Sequence, residues 1–349
     1  MDDAKNMTDR IKRFLKIDTA LAPGRDHHID ALKGAAIILV VLGHSIQVHD
    51  TRFDDNLLFR IIYSFHMPML MFLSGVILST QFGYSLRHYM KKNAIRLVIP
   101  FLTWYLISYI VYGVFQDTGL LNYFLGLMKS PGRGLWFLWI LFLNSSFLFA
   151  VLKLVRHKKW QQWENYFVIA AIILARTASE DVLGLSDFRQ YFPYYAAGFL
   201  VCKYRHALKA RRKTIYGAAL ILFPILVIAW RRNEFPAFYP VLVDILNNRG
   251  LPRLMVSIYK YLVAFTGIAF ISFILERARQ TNAYLFLCWL GTLTLDIYVC
   301  HGFFLKGFGT GWAAYFSAAV PGLICPLALT LLVMKRLRVT RLLLLGERH

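Results

Sequence analysis

The chain has 349 residues, of which 58% are hydrophobic and 17% are charged. A soluble domain carries about a quarter charged residues, so this composition indicates a protein that lies largely in lipid. It argues against disorder, a coiled coil or a disulfide-stapled secreted fold. The formal net charge of +21 does not predict a nucleic-acid partner, because the 40 Lys and Arg residues lie between long apolar runs rather than on a polar domain.

Ten stretches along the chain are candidate membrane spans, since a crossing helix needs about 20 mostly apolar residues. Polar residues interrupt the short fifth and sixth stretches, so half-inserted helices are the alternative there. The ten stretches are 31–48, 57–80, 94–115, 135–152, 160–175, 188–202, 214–230, 254–275, 283–304 and 312–334.

The placement of the cations predicts the orientation of these spans, because cytoplasmic loops retain Lys and Arg. With a cytoplasmic N-terminus, 28 of the 40 cations lie in segments on the cytoplasmic side. The sequence therefore predicts an all-α polytopic membrane protein with about ten transmembrane helices, both termini cytoplasmic and no cleaved signal peptide. Its predicted parts are a basic segment 1–30, a membrane domain 31–334 and a basic tail 335–349.

Ionisable side chains within the spans are costly in lipid, so each is a candidate functional residue. His44 lies eleven residues after Lys33, about 16 Å deeper along a helix. His66, approached from the other side, and Asp296 in the ninth span reach a similar depth, which predicts a buried polar chamber. For each histidine alone, a structural hydrogen bond between helices is the alternative. Lys260 lies near the end of its span and is expected to snorkel.

The chemistry of this chamber is limited by what the sequence lacks. It contains no Gly-rich phosphate loop, no nucleophile elbow and no convincing metal-ligand cluster. We therefore predict no metal, expect His27 and His28 at the surface, and interpret the four cysteines as small buried apolar residues. A neutral imidazole in a poorly solvated site can take a proton from a hydroxyl, which favours general base catalysis.

Several motifs resemble one known family. The first span contains IDALKG and VVLGHS, and the second contains YSFHMP and FLSG. These closely resemble the acyltransferase-3 family of integral membrane O-acyltransferases, and within it the fucose 4-O-acetylase-like branch. The family signature is a basic residue, ten residues and a histidine, and Lys33 and His44 have this spacing. The sequences NAIRLVIP, LWFL and LGTLTLDIYVCH resemble later family patterns, so the resemblance runs from about residue 28 to the last span.

The resemblance implies ten transmembrane helices in the bacterial inner (plasma) membrane and an acyl donor such as acetyl-CoA supplied from the cytoplasm. It implies transfer of the acyl group to a hydroxyl of a carbohydrate, either a lipid-linked or a polymeric glycan. It makes His44 the catalytic base, with His66 assisting, orienting or stabilising the oxyanion, and Asp30 near the donor entrance. A direct transfer and a ping-pong route through an acylated histidine both stay open.

The remaining candidate residues fall into two groups. Lys33 and Arg96 are candidates for holding the phosphates of coenzyme A, with lipid headgroup contacts as the alternative. The candidates for the acceptor sugar have aromatic-belt, snorkelling and hydrogen-bonding roles as alternatives. They are Asp296, Tyr298, His301, Trp136 and Arg133.

Two other functions compete with the acyltransferase interpretation. A proton-coupled transporter or flippase for glycans or small anions also uses intramembrane His and Asp, but would usually show an inverted repeat, and none is visible. A non-catalytic subunit of a glycan-assembly machine is the third interpretation. Besides the lipid bilayer, the expected partners are a homo-oligomer or a glycan-assembly protein.

Overall fold

The chain is built from helices joined by short turns. The computed structural model describes residues 24–113, 119–129, 135–178, 182–232, 234–247 and 249–347, and no strand occurs within them. The helices are α1 (His27–His49), α2 (Leu57–Leu78), α3 (Leu86–Asn93), α4 (Ile99–Ser108), α5 (Leu120–Lys129), α6 (Trp136–His157), α7 (Glu164–Arg176), α8 (Leu185–Lys203), α9 (Arg205–Ala210), α10 (Arg212–Ile228), α11 (Phe238–Leu246), α12 (Gly250–Arg277), α13 (Asn282–Thr292), α14 (Thr294–Cys300), α15 (Gly311–Leu329) and α16 (Arg338–Leu345).

Six described helical stretches are long and apolar enough to cross a bilayer, and a bent helix pair is a seventh candidate. The predicted fifth, sixth and seventh spans coincide with α7, α8 and α10. Helices α7 and α10 have only 13 and 17 residues, and α8 carries several polar residues. The fold is therefore that of a polytopic α-helical membrane protein, while ten crossings and cytoplasmic termini stay predictions. The six stretches are His27–His49, Leu57–Gln81, Leu86–Tyr112, Trp136–His157, Gly250–Arg277 and Gly311–Met334.

The predicted ninth span is not one straight helix. The chain breaks at Leu293, and the segments Asn282–Thr292 and Thr294–Phe304 meet at 66°. Backbone groups freed at such a break are tolerated in a membrane where protein covers them, and Leu293 is buried. The second arm ends in a short 3₁₀ turn that begins at His301.

The chain divides into two compact units, which are described separately. The first unit contains Met1–Met69 and Lys209–Leu327, and the second contains Leu70–Leu208 and Ala328–His349. In the second unit the buried carboxylate of Glu164, on α7, joins three helices. It accepts hydrogen bonds from Arg156 on α6 at 3.1 Å and from Lys203 on α8 at 2.9 Å. These contacts pair a buried charge, which would be costly if left alone.

In the first unit, α1 and α13 lie in backbone contact through two glycines. A Cβ atom on Gly34 would lie 2.1 Å from the carbonyl oxygen of Leu287, and one on Gly291 would lie 1.8 Å from that of Asp30. Small residues allow helices in a membrane to approach this closely. The contact fixes the start of α1 against the arm that precedes the bend.

Substitution of Gly34 by alanine is expected to destabilise the protein by roughly 1–3 kcal/mol, the usual cost of overpacking. The matched control is Gly217→Ala on α10, where no atom lies within 4 Å of the added methyl group. Alanine is a better helix former than glycine by about 0.5–1 kcal/mol, so the control should be slightly stabilised. Thermal melting in detergent measures both, and an unchanged melting temperature for Gly34→Ala would contradict the close contact.

Candidate active site

The N-terminal end of α1 gathers charged side chains. The Asp26 carboxylate caps the helix by accepting from the backbone N–H groups of His28 and Ile29. One turn later the buried carboxylate of Asp30 accepts from Arg25 at 2.9 Å and lies 3.9 Å from the Lys33 ammonium. Asp30 is thereby neutralised from two sides, as a buried carboxylate must be.

A cavity of about 750 Å³ opens beside these residues. His27 and His28 line it and are half-buried, so the expectation that they are surface residues is confirmed in part. The side-chain Nε2 atom of His28 lies 2.8 Å from the hydroxyl of Ser272 on α12. The lining residues are Gly24, Arg25, Asp26, His27, His28, Arg279, Tyr284, Leu285 and Cys288.

The cysteine expectation is confirmed in part. Cys288 and Cys300 are buried, whereas Cys202 and Cys325 are half-buried, and all four are free thiols. Cys288 donates from its thiol to the carbonyl oxygen of His27 at 3.3 Å, which adds a contact between α13 and the start of α1.

The key feature of the first unit is a pair of histidines from α1 and the turn after α14. His44 Nδ1 lies 2.8 Å from His301 Nε2, and the two ring centroids are 5.0 Å apart. His301 Nδ1 in turn lies 2.8 Å from the backbone carbonyl oxygen of Tyr298. The bend at Leu293 precedes this pair, so the second arm of the broken span brings His301 to α1.

This chain of contacts sets the position of each proton. A carbonyl oxygen only accepts, so His301 Nδ1 carries a hydrogen and, in the neutral ring, Nε2 is an acceptor. His44 Nδ1 must then be the donor to that nitrogen. The remaining nitrogen of His44, Nε2, is left with a free lone pair, which is the state that a general base requires.

His66 lies close to this pair through the ring of Tyr63. The Tyr63 ring centroid is 4.6 Å from that of His66, in edge contact, and 6.3 Å from that of His44. The Tyr63 hydroxyl donates to Gln47 at 2.7 Å, which orients the ring. The two predicted histidines thus border one aromatic side chain, although they come from different helices.

The contacts of His66 favour a role as a hydrogen-bond acceptor over the expected role as an oxyanion donor. Its Nδ1 lies 2.7 Å from the carbonyl oxygen of Ile62, so Nδ1 carries the hydrogen. In the neutral ring Nε2 is therefore an acceptor and cannot donate to an oxyanion. His66 is fully buried, and its Nε2 has no hydrogen-bond partner among the described residues.

The structure does not bring Asp30 together with His44. Fourteen residues of α1 separate them, which corresponds to about 21 Å along the helix axis. Asp30 and Lys33 instead lie together at the cavity end of α1. Asp30 therefore fits a role in shaping that end and not a role in the proton transfer at His44.

The other predicted residues are distributed over the molecule. Asp296 is buried in the first turn of α14, and Tyr298 contributes its backbone carbonyl to His301 while its ring centroid lies 5.8 Å from the His301 ring. Arg96 and Trp136 belong to the second unit, where Arg96 is exposed and the Trp136 ring lies 4.8 Å from that of Tyr191. Arg133 lies outside the described residues.

Sequence reasoning missed three contributors to the site. Tyr63 lies three residues before His66 on one helix, a spacing that places both on the same face, so this signal was available. Arg25 and Arg279 line the cavity, but only their basic character was visible in the sequence. The described residues contain no group of three or more His, Cys, Asp or Glu side chains suited to a metal ion.

Comparison with known proteins agrees with the motifs. The family model of the acyltransferase domain, acyltransferase-3, matches residues 26–335. The chain belongs to the acyltransferase-3 family. It is therefore an acyltransferase, and its apolar helices indicate a multi-pass membrane protein.

Two curated relatives of this acyltransferase carry the name nodulation protein NolL. The protein from Sinorhizobium fredii (strain NBRC 101917 / NGR234) is 28% identical over 318 residues, which is 81% of this chain and 79% of the relative. The protein from Mesorhizobium japonicum (strain LMG 29417 / CECT 9101 / MAFF 303099) is 27% identical over 184 residues, or 50% and 48% of the two chains. No solved structure matches this acyltransferase.

Proposed function

We propose that this membrane acyltransferase moves an acetyl group from acetyl-CoA to a hydroxyl of a sugar. The observation that carries the proposal is the hydrogen bond between His44 and His301, because it leaves a free lone pair on His44 Nε2. A non-catalytic subunit needs no such fixed base. Membership of an acyltransferase family favours the acyltransferase over both alternatives.

The cavity at the start of α1 is proposed to take the nucleotide end of coenzyme A. Arg25 and Arg279 border the cavity. Lys33 lies on α1, about one helical turn after Asp30. Guanidinium and ammonium groups bind phosphates through charge-assisted hydrogen bonds. The long pantetheine arm then runs along α1 toward His44 and carries the thioester into the buried site.

At His44 the proposed chemistry is a direct acyl transfer. Nε2 takes the proton of the sugar hydroxyl while the oxygen attacks the thioester carbonyl carbon. A carbon–oxygen bond forms, the carbon–sulfur bond breaks, and the proton held by His44 passes to the departing thiolate. The hydrogen bond to His301 stabilises the positive charge on His44 and holds its orientation during the transfer.

His66 is proposed to bind the acceptor. Its buried Nε2 offers a lone pair with no hydrogen-bond partner among the described residues, and a sugar hydroxyl is a donor that satisfies it. Tyr63 presents an aromatic ring between this nitrogen and His44. We propose a glycan of the cell surface as acceptor, with the enzyme in the bacterial inner membrane, alone, as a homo-oligomer or with a glycan-assembly partner.

The test of the proposed function is the release of coenzyme A thiol by the purified protein in detergent. Acetyl-CoA is supplied with or without a fucose-containing oligosaccharide, and the acetylated sugar is followed by mass spectrometry. We expect thiol release that depends on the acceptor and equals the acetyl groups gained. Absence of transfer to every acceptor, while acetyl-CoA binds, would contradict the proposal.

Substitution of Arg279 by glutamine is expected to raise the KM for acetyl-CoA about five- to tenfold, the effect of losing one charge-assisted hydrogen bond at a partly exposed site. Acetyl-pantetheine lacks the nucleotide phosphates, so its KM should change little. Arg277→Gln is the matched control, because Arg277 is an exposed neighbour outside the cavity lining. Equal effects on both donors would place the nucleotide elsewhere.

A further inference from the structure

Four cations from three segments form a cluster in the first unit, and one of them, Arg232, lies over the Tyr63 ring. Their acidic neighbours are Asp54, whose carboxylate accepts from the backbone N–H of Arg232 at 3.2 Å, and Asp55. The Lys260 ammonium contacts the Arg232 carbonyl oxygen at 3.4 Å, so it binds within the cluster. The cationic cluster comprises Arg60 on α2, Arg231 and Arg232 after α10, and Lys260 on α12.

The cationic cluster is continuous with the candidate active site. The guanidinium carbon of Arg232 lies 4.7 Å from the centroid of the Tyr63 ring. That same ring is in edge contact with His66, whose free nitrogen is the proposed acceptor contact. A ligand seated at His66 and Tyr63 therefore lies beside a positive charge.

Two buried guanidinium nitrogens of the cluster have no hydrogen-bond partner among the described residues. Arg60 is 8% exposed and donates through Nη2 to the carbonyl oxygen of Ile228, but its Nε has no partner. Nη1 of Arg231 is also buried and lacks a partner. Asp54 and Asp55 are near enough to interact with the charge of Arg60, yet neither accepts from these two nitrogens.

Buried donors without acceptors are costly, and a ligand with acceptor oxygens removes that cost. Arginine pairs best with planar or tetrahedral oxyanions, since its nitrogens form a rigid fork that matches carboxylate and phosphate oxygens. A neutral sugar hydroxyl can accept a hydrogen bond from such an arginine nitrogen, but it does not neutralise the excess positive charge of the cationic cluster. The unsatisfied nitrogens therefore indicate an anionic ligand.

We propose that the acceptor is an anionic glycan, whose carboxylate or phosphate binds the cationic cluster while a hydroxyl faces His44. This inference rests on the proposed function and names the class of its acceptor. A lipid headgroup offers the same phosphate chemistry. The acceptor is favoured because the two unsatisfied nitrogens are buried and Arg232 lies over the ring that borders both histidines.

The experiment compares an oligosaccharide that contains a uronic acid with its methyl ester, which is neutral but has the same hydroxyls. For the native protein in nanodiscs of neutral phosphatidylcholine, we expect kcat/KM to be at least about tenfold higher for the acid. In Arg231→Gln this ratio should fall to about one. Arg231→Lys, which keeps the charge but loses the fork, should give an intermediate ratio.

The matched control is Arg249→Gln, an exposed cation at the start of α12 outside the cluster, which should keep the native ratio. Equal transfer to acid and ester by the native protein overturns the anionic acceptor but leaves the acyltransferase proposal intact. Absence of transfer to both substrates, while a neutral fucose-containing oligosaccharide is acetylated, also overturns the inference, whereas absence of transfer to all three contradicts the proposed function itself. An Arg231→Gln defect that appears only in nanodiscs with phosphatidylglycerol, and equally for acid and ester, assigns the cluster to a lipid headgroup and also overturns the inference.

Discussion

Substitution of His44 by alanine is expected to lower kcat for acetyl transfer about 10²–10⁴-fold, the usual contribution of a positioned general base. The reason is the free lone pair on Nε2, which the contacts of His301 and the Tyr298 carbonyl define. The KM for acetyl-CoA should change little, because the cavity that holds the nucleotide lies at the far end of α1. Acceptor-dependent thiol release measures both constants.

The control for this substitution is His88→Ala, which removes an exposed histidine from α3 and should keep native kinetics. Thermal melting separates loss of catalysis from loss of folding. A His44→Ala protein that melts like the native protein and keeps more than about a tenth of its kcat would show that another group takes the hydroxyl proton.

The same assay separates direct transfer from a ping-pong route. If His44 carried the acetyl group, acetyl-CoA alone would release about one thiol per protein in a rapid burst before any acceptor is added. Direct transfer releases thiol only together with acetylation of the sugar. The observed hydrogen bond is compatible with both routes, since a free lone pair serves a nucleophile as well as a base.

The sequence predicted the first helix well, and the difference at its start has a physical cause. The prediction began at residue 31, whereas α1 begins at His27, because the Asp26 side chain satisfies two backbone N–H groups of the first turn. The spacing of Lys33 and His44, together with the later motifs in the right order, led to the correct family. His44 and His66 both lie near the Tyr63 ring, while their common depth in a bilayer stays a prediction.

The contact between His44 and His301 could not be predicted from the sequence. The two residues are 257 positions apart, and hydropathy treats 283–304 as one straight span because it averages over a window. The chain bends by 66° at Leu293, and the second arm carries His301 against α1. Asp296, which the depth argument placed with the histidines, is buried in the same arm five residues before His301, and its position beside the histidines stays a prediction.

The cavity shows a second limit of sequence reasoning. Intramembrane charges stand out in a sequence because lipid makes them costly, so His44 and His66 were found. Arg25 and Arg279 lie among other loop cations, and nothing local distinguishes a cation that lines a cavity from one that touches lipid headgroups. Such residues are identified only when the chain is folded.

Substitution of His301 by leucine is expected to lower kcat about 10²-fold or more, although His301 does not contact the reacting atoms in the proposed mechanism. Without an acceptor at this position, the hydrogen of His44 is no longer held on Nδ1, and a ring with its hydrogen on Nε2 cannot act as the base. His301 is therefore a positioning residue, and the KM values for both substrates should change much less than kcat.

Glutamine at position 301 is the conservative variant that distinguishes this role from simple packing. Its carboxamide oxygen can accept from His44 Nδ1, so His301→Gln should recover much of the activity that His301→Leu loses. Nitrogen-15 spectra of the His44 ring should show the hydrogen on Nδ1 in the native and glutamine proteins and a mixture in the leucine protein. If leucine and glutamine lose activity equally while the His44 ring keeps its hydrogen on Nδ1 in both, His301 supports the fold around His44 and does not set its proton.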